Sequence, residues 1–218
     1  MLLRRHRRNL AKDKSGAAAI EFAFISIALV MFTLGVIDVG FALFWFNRAE
    51  KATQLGVRIA AVSDPVSDFL PTFSGTTGGS AAVAGTPCES PAGTLEPFCD
   101  HADITCSVPP GNTATGTCSL GNFSNDNFTN IFLAMRTLYP QLDSENVQVE
   151  YRPSVLGFAG RPANRAGEFN LVPQVTVRIV DLEYNYIALG SLIGLAPFTL
   201  PVISASMTGE DLDHTTSL

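Results

Sequence analysis

The sequence predicts an α+β protein: a long N-terminal transmembrane helix continuing into an exported domain with a small antiparallel sheet and a loop-rich, disulfide-tied region. Three observations carry this. The run from Phe22 to Phe46 contains a single charged residue, Asp38. Four cysteines fall between positions 88 and 118, in a stretch rich in Pro, Gly, Ser and Thr. Beyond residue 146, Val, Ile and Tyr alternate with polar residues over short runs, as in half-buried strands.

A chain of 218 residues holds one domain and an anchor. Mean hydropathy is +0.23 and 16% of residues are charged, which fits one lipid-facing segment joined to a water-soluble part. The net charge of −6 hides an asymmetry. Arg4, Arg5, Arg7, Arg8, Lys12 and Lys14 crowd the first fifteen residues, where Asp13 is the sole acid. Short Arg-rich arms bind nucleic-acid phosphates, but this one runs directly into the apolar stretch. It is therefore a topology signal, and no nucleic-acid partner is expected.

The apolar run "FAFISIALVMFTLGVIDVGFALFWF" spans roughly 37 Å as a helix, enough to cross a hydrocarbon core of about 30 Å with tilt. It has no polar face. Phe44, Trp45 and Phe46 close it as an aromatic belt would. The basic residues precede it, so residues 1–15 are expected in the cytoplasm and the C-terminal part outside. The run exceeds the apolar core of a secretory signal peptide, and no small-residue cleavage site follows it.

Two acids interrupt this apolar context. Glu21 opens the run, where the helix macrodipole favours an acid. Asp38 lies inside it, where a carboxylate is costly unless it finds a partner or snorkels to the interface. Upstream stands "KDKSGAAAIEF". Cleavage after Gly16 would make Ala17 a free amine, one helical turn from Glu21 and on the same face.

This N-terminus resembles the class III signal peptides of type IV pilins and pseudopilins, and most closely the TadE-like minor pilins of tight-adherence (Flp) pilus systems. The residues that carry the resemblance are Gly16, Ala17, Ala18, Ala19, Ile20, Glu21, Phe22 and Ala23, together with "GVIDVG" at 35–40 and the alanine-rich continuation through Ala60 and Ala61. Phe22 stands where many pilins have Tyr. The resemblance covers residues 12–62. It implies cleavage between Gly16 and Ala17 by a prepilin peptidase and an assembly and processing role for Glu21 and Phe22. Its implied partners are other pilins and the Tad inner-membrane platform, with the lipid bilayer around the anchor. The expected location is the bacterial inner membrane, single-pass, N-terminus cytoplasmic and C-terminal domain periplasmic, with entry into a pilus open. The implied organisation is a leader at 1–16, the helix and its continuation at 17–62, and a pilin-like domain at 63–218. The alternative is an unprocessed, anchored periplasmic binding protein with a disulfide-tied recognition loop.

Past the anchor, residues 47–62 keep helical composition until Asp64-Pro65. Ala49, Ala52, Gly56 and Ala60 form a small-residue stripe suited to close helix approach. Residues 64–125 read as loop. Cys88, Cys99, Cys106 and Cys118 match no zinc spacing, and outside the cytoplasm they predict two disulfides of unspecified pairing. Phe128, Ile131, Phe132, Met135, Leu138 and Tyr139 recur at helical spacing and end at Pro140. Strands are expected at 146–152, 171–184 and 198–207, with Pro201 placing the last at an edge or bulge. The apolar piece 186–196 is too short to cross a bilayer. No hydrolase, metalloprotease or nucleotide fingerprint occurs, so no catalytic residues, metal or cofactor are expected.

Overall fold

The computed structural model describes residues 15–73, 85–88, 102–111, 115–157 and 171–209. The basic leader, Cys99 and the C-terminal tail lie outside them. Helix α1, Ser15–Val62, is continuous over 48 residues. Nothing in it breaks a helix, and Asp64-Pro65 ends it. Ser26 and Thr33 donate their hydroxyls to the carbonyls of Phe22 and Val30, both at 2.8 Å, so these polar groups do not need water.

The chain divides into two compact units. One comprises the chain up to Phe44 with Tyr184–Phe198; the other is Trp45–Glu183 with Thr199–Leu218.

In the second unit, β1 (Ile104–Ser107), β2 (Thr117–Cys118), β3 (Val147–Gly157), β4 (Leu171–Ile179) and β7 (Ile203–Thr208) form one antiparallel sheet in the order β2-β1-β3-β4-β7. Two further short strands, β5 (Glu183–Tyr184) and β6 (Phe198–Thr199), pair with each other. The register aligns Cys118, Cys106, Val149, Val177 and Ala205 in one row across the sheet. Strand alternation therefore puts Ile104, Val147, Tyr151, Val175 and Ile179 on that same buried face. The other face carries Glu150, which pairs with Arg178 at 2.7 Å and with Arg152.

Helix α2, Asn125–Leu138, buries Phe128, Ile131 and Met135. It starts earlier than the apolar spacing shows, because "NDN" supplies its first turn. The small-residue stripe of α1 is consumed here. Ala49, Ala52 and Ala60 are fully buried, and a Cβ at Gly56 would lie 2.6 Å from the Met135 Sδ and 3.4 Å from Val177. The stripe thus serves packing inside the unit. Trp45 meets Tyr139 edge-on at 5.6 Å within the same unit.

Residues 64–125 contain more structure than their composition announces. Besides β1 and β2, a 3-10 turn forms at Leu70–Thr72, and Ser67 bridges to Phe123. Asp68 accepts the backbone N–H of Asn122 at 2.7 Å and its side-chain amide at 2.8 Å. The Val66 N–H donates to the buried Tyr151 hydroxyl at 3.0 Å. Strands of four and two residues are too short to show alternation, which is why these read as loop. One disulfide, Cys106–Cys118, staples β1 to β2. Cys88 is buried and also disulfide-bonded.

The expected strand at 171–184 stops at Ile179. Asp181 takes a positive φ of 51°, and the chain resumes pairing only at Glu183. Pro201 likewise splits the run at 198–207 into β6 and β7, and β7 forms the sheet edge.

Candidate functional site

The first unit carries Gly16, Ala17, Glu21, Phe22 and Asp38, and the cysteines belong to the second. From Gly16 to Phe44 the side chains of α1 are almost all exposed, including Phe22, Phe24, Phe32 and Phe41. The helix is long and apolar enough to cross a membrane, and an apolar window of 18 residues in it has no share buried inside the chain. Gly16, Ala17, Glu21 and Phe22 all lie on exposed helix. Ala17 and Glu21 share a face one turn apart. Nothing lies within 4 Å of where a Gly16 Cβ would be.

Asp38 differs from every other residue of this stretch. It is 1% exposed. One carboxylate oxygen accepts the backbone N–H groups of Ile187 and Ala188, each at 3.0 Å. The other accepts the Leu189 N–H at 2.8 Å. Asp38's own backbone carbonyl accepts the Tyr184 hydroxyl at 3.0 Å.

Of the three N–H donors, Leu189 opens the short helix α3, Leu189–Ile193, and Ile187 and Ala188 lead into it. First-turn amides have no partner within their own helix. The residue before this helix, Ala188, has no side chain able to cap them. Asp38 takes the first of them, the Leu189 N–H, from α1, and places negative charge at the positive end of this turn of helix. The far end closes on Gly194, which adopts the left-handed conformation (φ 68°, ψ 36°) and returns its N–H to Gly190 at 3.1 Å. Gly35, one turn before Asp38, leaves room for Leu189, whose Cδ1 would sit 3.7 Å from a Cβ there. Tyr184, Tyr186 and Phe198 cluster beside the pin in edge-on and tilted contacts, with ring centroids 5.4 to 5.9 Å apart.

The sequence named Asp38 and left its partner open between water and protein. In the structure the partner is protein backbone. Sequence reasoning missed Tyr184 and the amides of 187–189, because backbone donors leave no signature in residue identity. A usable signal existed: "GVIDVG" combines one acid with a glycine a turn earlier, and residues 184–209 contain no charge. Of the cysteines, Cys106 and Cys118 are brought together, Cys88 is bonded, and Cys99 falls outside the described residues. Among the described residues, no three His, Cys, Asp or Glu side chains are grouped to hold a metal.

The segment built around these features has a counterpart among known families. Residues 16–58 match the model of the TadE-like protein family. That match spans the Gly16–Phe22 motif, Asp38 and the small-residue stripe as far as Gly56. No curated protein and no solved structure matches the chain significantly.

Proposed function

We propose, from the TadE-like match over residues 16–58, that this chain is a minor pilin or pseudopilin of a tight-adherence pilus system. It is anchored by α1 in the inner membrane with its C-terminal domain in the periplasm, and it contributes to pilus assembly through helix packing, without catalysis of its own. One observation carries the reading. The matched segment coincides with an exposed apolar helix that begins beside Gly16 and presents Glu21 on its surface. An acid at that position is available to a neighbouring subunit. The basic leader argues for a cytoplasmic N-terminus, and hence for a peptidase acting on that side. Processing between Gly16 and Ala17 would expose an amine one turn from Glu21.

The test is the N-terminus of the protein extracted from cells with an active prepilin peptidase. Mass spectrometry should find Ala17 first, and Gly16→Leu should leave the leader attached. A wild-type chain that retains its leader would sink the pilin reading and favour an anchored periplasmic binding protein.

A further inference from the structure

We propose that the loop from Tyr186 to Phe198 is a second membrane-contacting element, lying in the outer leaflet against α1. The inference rests on the reading of α1 as a membrane anchor and adds a site to it. The loop belongs to the same compact unit as the apolar part of α1, and the Asp38 pin fixes it there.

Its depth follows from that pin. With Phe22 at the cytoplasmic edge of the hydrocarbon, Asp38 lies roughly 24 Å along the helix axis. In a core of about 30 Å this is some 6 Å short of the far edge. Interfacial elements bury their apolar faces about 5–10 Å into the boundary between headgroups and acyl chains. The pinned loop is at the same level.

The surface chemistry agrees. Ile187 is 54% exposed, Leu192 57% and Ile193 52%, the same range as Val36 and Ile37 on α1, and Leu195 is 41% exposed, close to Phe41. In water, a loop presenting such side chains together would be an association hazard. No charge occurs between Glu183 and Glu210. The polar groups that would oppose insertion are in part satisfied internally: three amides by Asp38, the Gly194 N–H by Gly190, and the Tyr184 hydroxyl by the Asp38 carbonyl. Tyr184, Tyr186 and Phe198 supply the aromatic rings favoured at a membrane interface. Lipid is the occupant because this surface continues the apolar surface of α1, which faces all directions around its axis as a lipid-facing helix does.

The test uses the full-length protein with its disulfides intact, in phosphatidylethanolamine–phosphatidylglycerol vesicles. Single cysteines replace Ile193 or Leu192 in the loop, Val36 as the anchor reference, and Leu133 on α2 as the water-exposed reference. Each carries an environment-sensitive fluorophore. Both loop probes should be quenched by lipids bearing a nitroxide high on the acyl chain, and iodide should quench them about fivefold less than the Leu133 probe. Loop probes as open to iodide as Leu133, with Val36 still quenched by lipid, would overturn the proposal and leave the anchor intact. Loop probes shielded from both quenchers would also overturn it, since protein would then cover the loop. A Val36 probe open to iodide would remove the anchor reading and this inference with it.

Discussion

Asp38 and Leu189, 151 positions apart, are joined by a 2.8 Å hydrogen bond from the Leu189 backbone N–H to the Asp38 carboxylate. The same side chain serves two further amides, so its removal strands three donors at once. Asp38→Ala should accelerate hydrogen exchange at residues 187–189 by about tenfold or more, because these part-buried amides lose the acceptor that holds them closed. Asp38→Asn, which keeps an acceptor oxygen and loses the charge, should fall between. Unchanged exchange at these amides in Asp38→Ala would show that the pin does not hold the loop.

Glu21 is expected to matter for assembly more than for insertion. Glu21→Ala makes the anchor more apolar, so membrane extraction should recover as much protein as wild type. The variant should nevertheless fail to support piliation, because an ammonium at Ala17 inside an apolar bundle would lose its partner at a cost of several kcal/mol. Cleavage is measured in the same strain to separate processing from assembly. A variant that is inserted, cleaved and still piliated would reduce Glu21 to an interfacial acid.

Gly56 sets the approach of α1 to α2. Alanine there should gain about 1 kcal/mol in helix propensity. The contact at Met135 should cost about 1–3 kcal/mol, giving a net loss near 1. Gly56→Leu should cost more than Gly56→Ala. Denaturant midpoints in detergent measure both, and a Leu variant as stable as wild type would contradict the packing.

The Cys106–Cys118 bridge closes a short loop across paired strands. Its removal as Cys106→Ala with Cys118→Ala should cost about 3 kcal/mol. The melting temperature should fall accordingly, and the unfolded, unreduced wild-type protein should show no free thiol. Labelling at Cys106 or Cys118 in that state would refute the bridge.

Asp68 makes a contribution to the fold that depends on pH. The Asn122 side-chain amide, and then its backbone N–H, hold the Asp68 carboxyl below its ordinary value of 3.8. A carboxyl with a lowered folded pKa stabilises above its unfolded value, and that contribution disappears as pH falls through the folded one. Asp68→Ala should therefore destabilise near neutral pH, with the difference from wild type shrinking below pH 3.8. A difference constant across that window would show that the carboxylate charge has no part in it.

What was legible in the sequence follows from how local each signal is. Helix α1 stands out because a long apolar run with one charge needs no tertiary information. Strands β3 and β4 show through alternation, as in Val147, Val149 and Tyr151. The stripe through Ala49 and Gly56 was visible as small residues, but its occupant, Met135, was not, because the two lie far apart in sequence. Strands β1 and β2 were hidden by their brevity, and their pairing with β3 depends on register set elsewhere. Asp38 was conspicuous as an acid in the wrong place. Its partners were invisible because they are main-chain amides, which every residue but proline carries.

The pin at Asp38 also imposes an order in time. Asp38 leaves the ribosome 151 residues before Leu189. At about 5–20 residues per second, that interval is roughly 8–30 s. Through all of it the carboxylate waits without the amides that it will accept, while most of the chain after α1 is still being made. The Asp38 pin is therefore among the last contacts to close during biogenesis, and a chain truncated before residue 187 leaves its acid without these three amides.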